Sequence, residues 1–248
     1  MALFTDGEVS SIEDLRGYDT QLLDVASIEG IDVTRKLLLA RDEIAAEVET
    51  MLRRVAWYRV PLDSSRVVVT PPLKLWHTYL TLEMVYRDAY RSQLNDRYAG
   101  KRDEFQEMAR WAHDRVVQNG LGIANDPIGR GSSPTVQACG GALPDGTYYV
   151  AASWTNAAGE EGMPSTPATI QLAGSSFSAR AAAAPANAKG WNLYAGSGPQ
   201  GLTLQNASPL GLTGTWVQPD TISRGGRAAG TGQEPDYLLA VPRLIQRG

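Results

Sequence analysis

The sequence predicts a multidomain α+β protein: an N-terminal α-helical bundle domain, then a small antiparallel β-sandwich, then an extended C-terminal arm. Three observations predict it. Charge and chain-breaking residues exchange places along the chain: residues 1–125 hold 16 Lys and Arg and 20 Asp and Glu, against 7 and 7 in residues 126–248, while 19 of the 25 Gly and 11 of the 14 Pro lie after position 125. Apolar residues recur every three to four positions in the first half and alternate in short runs in the second, the helical and strand periods respectively. The last dozen residues are strongly apolar, where free ends are normally polar. The boundaries that follow are 1–125, 132–222 and 223–248, and 43% hydrophobic with 20% charged residues suits folded, soluble domains.

Taken in order, Ser11-Ile12-Glu13-Asp14 fits a capping box, a hydroxyl with an acid three residues on. It opens a short helix carrying Leu15, Leu22, Leu23 and Val25 and ending before Gly30. Asp32 caps the next helix, whose apolar face is Val33, Leu37, Ile44, Val48, Met51 and Val55. Its Arg41, Asp42, Glu43, Glu47 and Glu49 make a solvated face. Residues 59–71 form a connector, with turn chemistry at 60–65 and a short extended run of three valines at 67–69. Thr70 caps a long helix pair over 71–119, and Pro71 and Pro72 suit its first turn because their missing N–H groups have no intrahelical partner there. Leu75, Tyr79, Leu82, Tyr86 and Tyr90 form one stripe; beyond Gly100, Phe105, Met108, Ala112 and Val116 form another, and Gly120 ends it. Four helices with short links make a compact helical domain.

From Gly131 the period changes. Segments 147–154, 166–172, 177–184, 190–195, 202–204 and 214–217 are short and rich in aromatic and β-branched residues, with turn residues between them, which predicts a small sandwich. The alanine run 181–184 goes with the strands because Pro185 follows it. Residues 224–233 are Gly/Ala/Arg-rich and read as flexible. Residues 224–248 carry four arginines against Glu234 and Asp236. A tail this apolar either folds back on its own domain or serves a partner.

The chemistry the sequence excludes is extensive. One cysteine, Cys139, rules out an internal disulfide and a Cys-based metal site, and with no basic neighbour it is an inert thiol. His77 and His113 each sit in a helix without a second ligand at metal spacing, so both are expected at a surface or interface. No phosphate-binding or nucleophile-elbow motif is present, and residues 129–133 are a linker. The expectation is no catalytic residue, no metal, no cofactor and no enzymatic activity. Arg87, Arg91, Arg97, Lys101 and Arg102 are interrupted by acids, which argues against sequence-specific nucleic-acid binding. No apolar run reaches ~20 residues and the first residues lack signal-peptide features, so synthesis in a cytoplasm without a membrane anchor is expected, with a place in an assembled particle still open. Trp76, Tyr79, Tyr86, Tyr90 and Trp111 concentrate in the central helices; they serve core packing or contacts between subunits, where Trp and Tyr are enriched.

The helical half has an N-terminal helix, a long amphipathic helix, a connector bounded by Val60-Pro61 and Thr70-Pro71-Pro72, and a long aromatic-rich helix. With the C-terminal arm, it resembles the head–tail connector (adaptor or head-completion) proteins of tailed bacteriophages. Asp145-Gly146-Thr147-Tyr148-Tyr149-Val150 and Gly190-Trp191-Asn192-Leu193-Tyr194 are similar to fibronectin type III or Ig-like modules. The resemblance implies a homo-oligomeric ring, usually twelve-fold, docked beneath the portal protein at the head–tail interface of the virion. It also implies a platform for a tail terminator or tail completion protein, and genomic DNA passing through without sequence-specific contacts. The segment matching the family's portal-binding end is Tyr237, Leu238, Leu239, Val241, Pro242, Arg243, Leu244, Ile245 and Arg247. Its apolar residues suit a partner's surface and its arginines suit acidic positions. The five central aromatics are the expected inter-subunit contacts. The alternative is a carbohydrate- or receptor-binding tail or baseplate component, which would expose Trp154, Trp191 or Trp216.

Overall fold

The computed structural model describes residues 1–54, 62–93 and 96–239. Among the described residues five α-helices and antiparallel sheets make it an α+β protein, divided into two compact units. The junction falls between Ile123 and Ala124, beside the boundary expected at residue 125, but the two chain ends are exchanged between the units. Met1–Asp6 belongs with Ala124–Glu234 in a β unit, and Gly7–Ile123 belongs with the chain from Pro235 onward in a helical unit.

In the helical unit, α1 (Ile12–Tyr18) opens on a complete capping box, with Asp14 N–H donating to the Ser11 hydroxyl and the Asp14 carboxylate accepting from Ser11 N–H. The single helix expected up to Gly30 is broken in two. Asp19 turns the chain by accepting from Gln21 N–H at 3.0 Å and from the Tyr86 hydroxyl, and α2 (Leu22–Glu29) restarts behind it. Gly30 ends α2 at φ +66, a left-handed position that glycine adopts without cost. Asp32 caps α3 (Val33–Arg53) through Arg35 N–H at 3.0 Å. Val33, Leu37, Ile44, Val48 and Met51 are all buried, as their spacing requires; Val55 lies outside the described residues. Then α4 (Pro71–Gln93) and α5 (Ala99–Asn119) pack side by side, with Tyr86 stacked on Phe105 at 5.5 Å between ring centres. Past α5 comes a strand that the helix-ending glycines concealed, β1 (Leu121–Ile123), bridged to Val67.

The β unit holds seven strands: β2 (Thr135–Cys139), β3 (Gly146–Thr155), β4 (Ala168–Leu172), β5 (Ser176–Arg180), β6 (Gly190–Gly196), β7 (Thr203–Leu204) and β8 (Thr215–Val217). They form a three-stranded sheet ordered β2-β5-β8 and a four-stranded sheet ordered β4-β3-β6-β7, every pairing antiparallel. Alternate residues of β3, namely Tyr148, Val150, Ala152 and Trp154, enter a core shared with Phe177, Ala179, Trp191 and Leu193. The opposite face of β3 and β6 buries Ala151 and Tyr194 against Leu202 and Ala229.

Three expectations for this half are corrected. β5 stops at Arg180, where its register with β8 ends, so the alanines 181–184 are not strand. β2 had no sequence signal, because its side chains are exposed or half-buried and do not alternate. Residues 223–234 are not a free arm: Leu204 N–H donates to Arg227 O at 2.8 Å and Ala229 N–H to Leu202 O at 3.2 Å, which ties the segment along β7. Gln233 fixes its end, accepting from Ile128 N–H at 2.7 Å and donating to Asp126 O and to Glu160, both at 3.0 Å. The presumed linker is likewise held, by Arg130 to Pro164 O at 3.0 Å and Ser133 to Thr166 O at 2.7 Å. The first residues join the same unit, Met1 donating to Gln233 O at 2.6 Å and Asp6 accepting from Arg130 N–H at 2.7 Å.

The chain then returns to the helical unit. β9 (Asp236–Leu238) lies antiparallel to β1, with Leu121 opposite Leu238 and Ile123 opposite Asp236.

Candidate functional site

The β1–β9 pair closes one end of the helical unit and places the root of the C-terminal segment there. Gly120 makes the closure possible. It sits at φ +88, and a Cβ on it would lie 2.7 Å from the Leu238 carbonyl oxygen, inside any tolerable contact. Gly122 is equally constrained, since a Cβ there would meet Thr70 Cγ2 at 2.6 Å and Pro235 Cβ at 2.9 Å. Beside this pair is a cavity of about 240 Å³. On α3, Glu47, Met51 and Arg54 reach it, four and three residues apart and therefore on one helix face. His113, Asp114, Val116 and Val117 reach it from α5, and Leu121 and Leu238 from the strands. Its lining combines apolar side chains with two carboxylates, one imidazole and one guanidinium. Tyr237 and Leu239 flank Leu238 and are 54% and 59% exposed, whereas Leu238 itself is half-buried. Of the expected portal-binding residues, these three are described; Val241, Pro242, Arg243, Leu244, Ile245 and Arg247 lie outside the described residues.

The expected inter-subunit aromatics divide differently. Trp76, Tyr79 and Tyr86 are buried inside their own unit, at 7%, 5% and 2% exposure, so they have no surface left for a second copy. Tyr90 is half-buried beneath the Arg102 guanidinium, 4.3 Å from the ring centre. Only Trp111, about half exposed with Arg115 over its ring, presents an aromatic face. Other large apolar side chains do stand in solvent: Ile28 on α2, Leu38 and Leu39 on α3, and Val117 on α5.

Burial also corrects His77, expected at a surface or interface and found inside its own unit. It is 1% exposed; its Nε2–H donates to Leu37 O at 3.0 Å and its Nδ1 accepts from the Ser10 hydroxyl at 2.5 Å. Burial pulls its pKa down to about 4, because a charged imidazolium there would lose hydration and face Arg41 nearby. His113 stands edge-on to Trp76 at 4.8 Å. Burial pushes Glu83 up, opposed by Arg87 at 3.3 Å, and pushes the Tyr86 phenol up, aided by its bond to Asp19. In the β unit, Glu161 gathers the hydroxyls of Ser153 and Tyr194 and the Arg227 guanidinium, and Tyr194 is pushed up by burial and that bond. Each of these groups is satisfied by its neighbours, which is the pattern of structural polar pairing.

Two further grooves exist: one near 810 Å³ in the β unit, reached by Asp145, Thr147, Asp220 and Arg224, and one near 500 Å³ in the helical unit between Asp32, Arg35, Asp88 and Arg91. Among the described residues no group of three His, Cys, Asp or Glu is placed to hold a metal ion, and no helix is long and apolar enough to cross a membrane. Trp154 and Trp191 are fully buried and Trp216 is half-buried, its ring N–H on Gln218 at 2.9 Å. The exposed tryptophan platform required by the carbohydrate-binding alternative is therefore missing at Trp154 and Trp191. No protein-family model matches the chain, and no curated protein matches it.

Proposed function

We propose that the chain is a non-catalytic structural subunit of a tailed-bacteriophage virion, a head–tail connector. In this reading its helical unit builds a ring, twelve-fold in the family it resembles, between the portal and the tail. The β unit is an Ig- or fibronectin-like sandwich carried on that ring, and the segment rooted at β9 reaches the portal. The observation that carries the reading is where apolar surface is left over. Of the eleven large hydrophobic side chains exposed among the described residues, nine belong to the helical unit and only Leu212 and Val217 to the β unit. Exposed apolar surface of this extent suits an interaction surface, and a ring repeats each such contact many times, turning a weak arm into a firm joint.

The test is a pull-down and negative-stain imaging of the full chain with the portal protein encoded in the same genome. Rings seated on the portal's narrow end are expected. A variant ending at Leu239 keeps β9 and the Gln233 anchor intact and is expected to bind the portal at least tenfold more weakly. Full-strength binding by that variant rejects the arm's role, and no binding by the full chain rejects the connector reading.

A further inference from the structure

The groove near 810 Å³ lies wholly within the β unit, at the end where β3 begins and β6 stops. Its lining comes from three segments: 143–148 at the entry to β3, 196–203 around the β6–β7 turn, and 220–224 beyond β8. Hydrogen bonds fix each of them. Asp145 Oδ1 accepts from Gly174 N–H and Asp220 Oδ1 from Ala142 N–H, both at 2.8 Å. The Tyr148 hydroxyl donates to Pro144 O at 2.8 Å, and the Thr203 hydroxyl donates to Ser223 O. Gly196 lets the β6–β7 turn close, since a Cβ there would lie 2.7 Å from Gly201 O. The groove is thus formed before any ligand arrives, and its size falls within the range of ordinary small-molecule sites, about 300–1,000 Å³.

What stays available in the groove is a set of unlike groups. Each aspartate spends one oxygen on the backbone and keeps Oδ2, which when ionised only accepts. Arg224 is exposed and has no hydrogen-bond or ion-pair partner among the described residues, and a guanidinium only donates. The Thr147, Ser197 and Thr221 hydroxyls do either, while Leu143, Pro144 and Ile222 supply apolar wall. A simple anion would meet two carboxylates here, and a simple cation would meet the guanidinium. A polyol suits every group, because each of its hydroxyls both donates and accepts and its C–H faces rest on the apolar wall. An extended peptide offers donors and acceptors along two edges only, whereas these groups converge from three segments. We propose that the groove binds a short neutral oligosaccharide. Asp145 and Asp220 accept from sugar hydroxyls through Oδ2, and Arg224 donates to ring or glycosidic oxygens. No tryptophan is among its lining residues, so the binding owes nothing to Trp154, Trp191 or Trp216. The inference stands on the β unit alone and holds whether or not the helical unit meets a portal.

The test titrates the isotope-labelled full chain with maltotriose, mannotriose and N-acetylchitotriose, followed by the amide signals in NMR spectra. Shifts centred on Thr147, Ser197 and Thr221 are expected with at least one of the three, at a dissociation constant in the millimolar range. Asp145→Asn and Asp220→Asn keep Oδ1 for the Gly174 and Ala142 N–H groups and turn the second oxygen into an amide donor. Each is expected to weaken binding about tenfold at unchanged far-UV circular dichroism, the usual effect of losing a hydrogen bond to a charged group. Arg224→Ala, at an exposed position, is expected to weaken it as well. Weakening in any one of the three variants keeps the groove as the site, and portal binding by all of them should be unchanged. No shifts with any of the three sugars, or shifts centred elsewhere, overturn the proposal. Equal affinity in the wild type and all three variants does the same. Tighter binding of trigalacturonate than of every neutral trisaccharide also overturns it, making the groove an anion site.

Discussion

The two units handle apolar surface in opposite ways. The β unit buries Trp154, Trp191, Phe177 and Tyr194 completely, leaves Trp216 half-buried, and seals polar groups in pairs such as Asn206 with Asn192 at 2.9 Å. The helical unit buries Tyr86, Phe105 and Trp76 just as well, yet leaves Ile28, Leu38, Leu39, Trp111 and Val117 in water. It also keeps ionisable groups inside, His77 and Glu83 among them. Among the described residues one unit leaves two large apolar side chains exposed, Leu212 and Val217, and the other leaves nine. The difference teaches that aromatic content alone does not predict exposed apolar surface: Trp76, Tyr79 and Tyr86 are spent inside, while Ile28, Leu38 and Leu39 remain outside with Trp111.

The largest expected effect falls on the β unit. Trp191→Ala empties a fully buried site and should cost about 3–5 kcal/mol, with its cavity left among Trp154, Phe177 and Leu193. Near-ultraviolet circular dichroism should report loss of β-unit packing at lower urea while the helical signal at 222 nm keeps its own midpoint. A single shifted transition in both signals would break the comparison.

The second effect belongs to the helical unit, which holds both histidines of the chain. The folded pKa of His77, about 4, lies below the ordinary 6.5, so between those values the unfolded chain binds more protons and stability rises with pH. That stability is complete above about pH 6.5 and is lost as pH falls toward 4; by pH 4.5 the loss is about 2–3 kcal/mol, at 1.36 kcal/mol per pKa unit. Urea midpoints of wild type and His77→Gln at pH 7 and 4.5 isolate the contribution, and the wild type should lose more on acidification. Equal losses would place the imidazole in water.

The smallest effect concerns the exposed leucines. L38S with L39S should change the stability of the free chain by no more than about 0.5 kcal/mol, as substitutions at exposed positions do, while weakening self-association in sedimentation velocity. Unchanged association would remove these residues from any interface.

Local rules made most of the helical unit legible. The Ser11 capping box, the Asp32 cap, Pro71 and Pro72 at the start of α4, and the α3 apolar face all depend on residues within a turn or two of each other. What stayed hidden depends on distant partners. His77 is buried because Ser10 and the Leu37 carbonyl meet it from 67 and 40 residues away. Residues 224–233 looked flexible because their anchors, Arg227 on Glu161 and Gln233 on Asp126, connect across 66 and 107 residues. β1 and β9, three residues each, carry no periodicity at all and exist only as a pair. For the candidate site, the apolar tail beyond Pro235 was visible in the sequence; the cavity at its root was not, since it is assembled from α3, α5 and two strands far apart in the chain.

The interleaving of the chain has a consequence for biosynthesis. The first six residues leave the ribosome long before the strands they join, and Met1 waits for Gln233. The helical unit in turn lacks β9 until residue 238 has emerged, because its last strand is made after the entire β unit. The β unit has all its residues once Glu234 is made, and the helical unit gains β9 only over the next four. A product terminated between residues 124 and 232 would therefore be incomplete in both units, with β1 lacking its β9 partner and Met1 lacking Gln233.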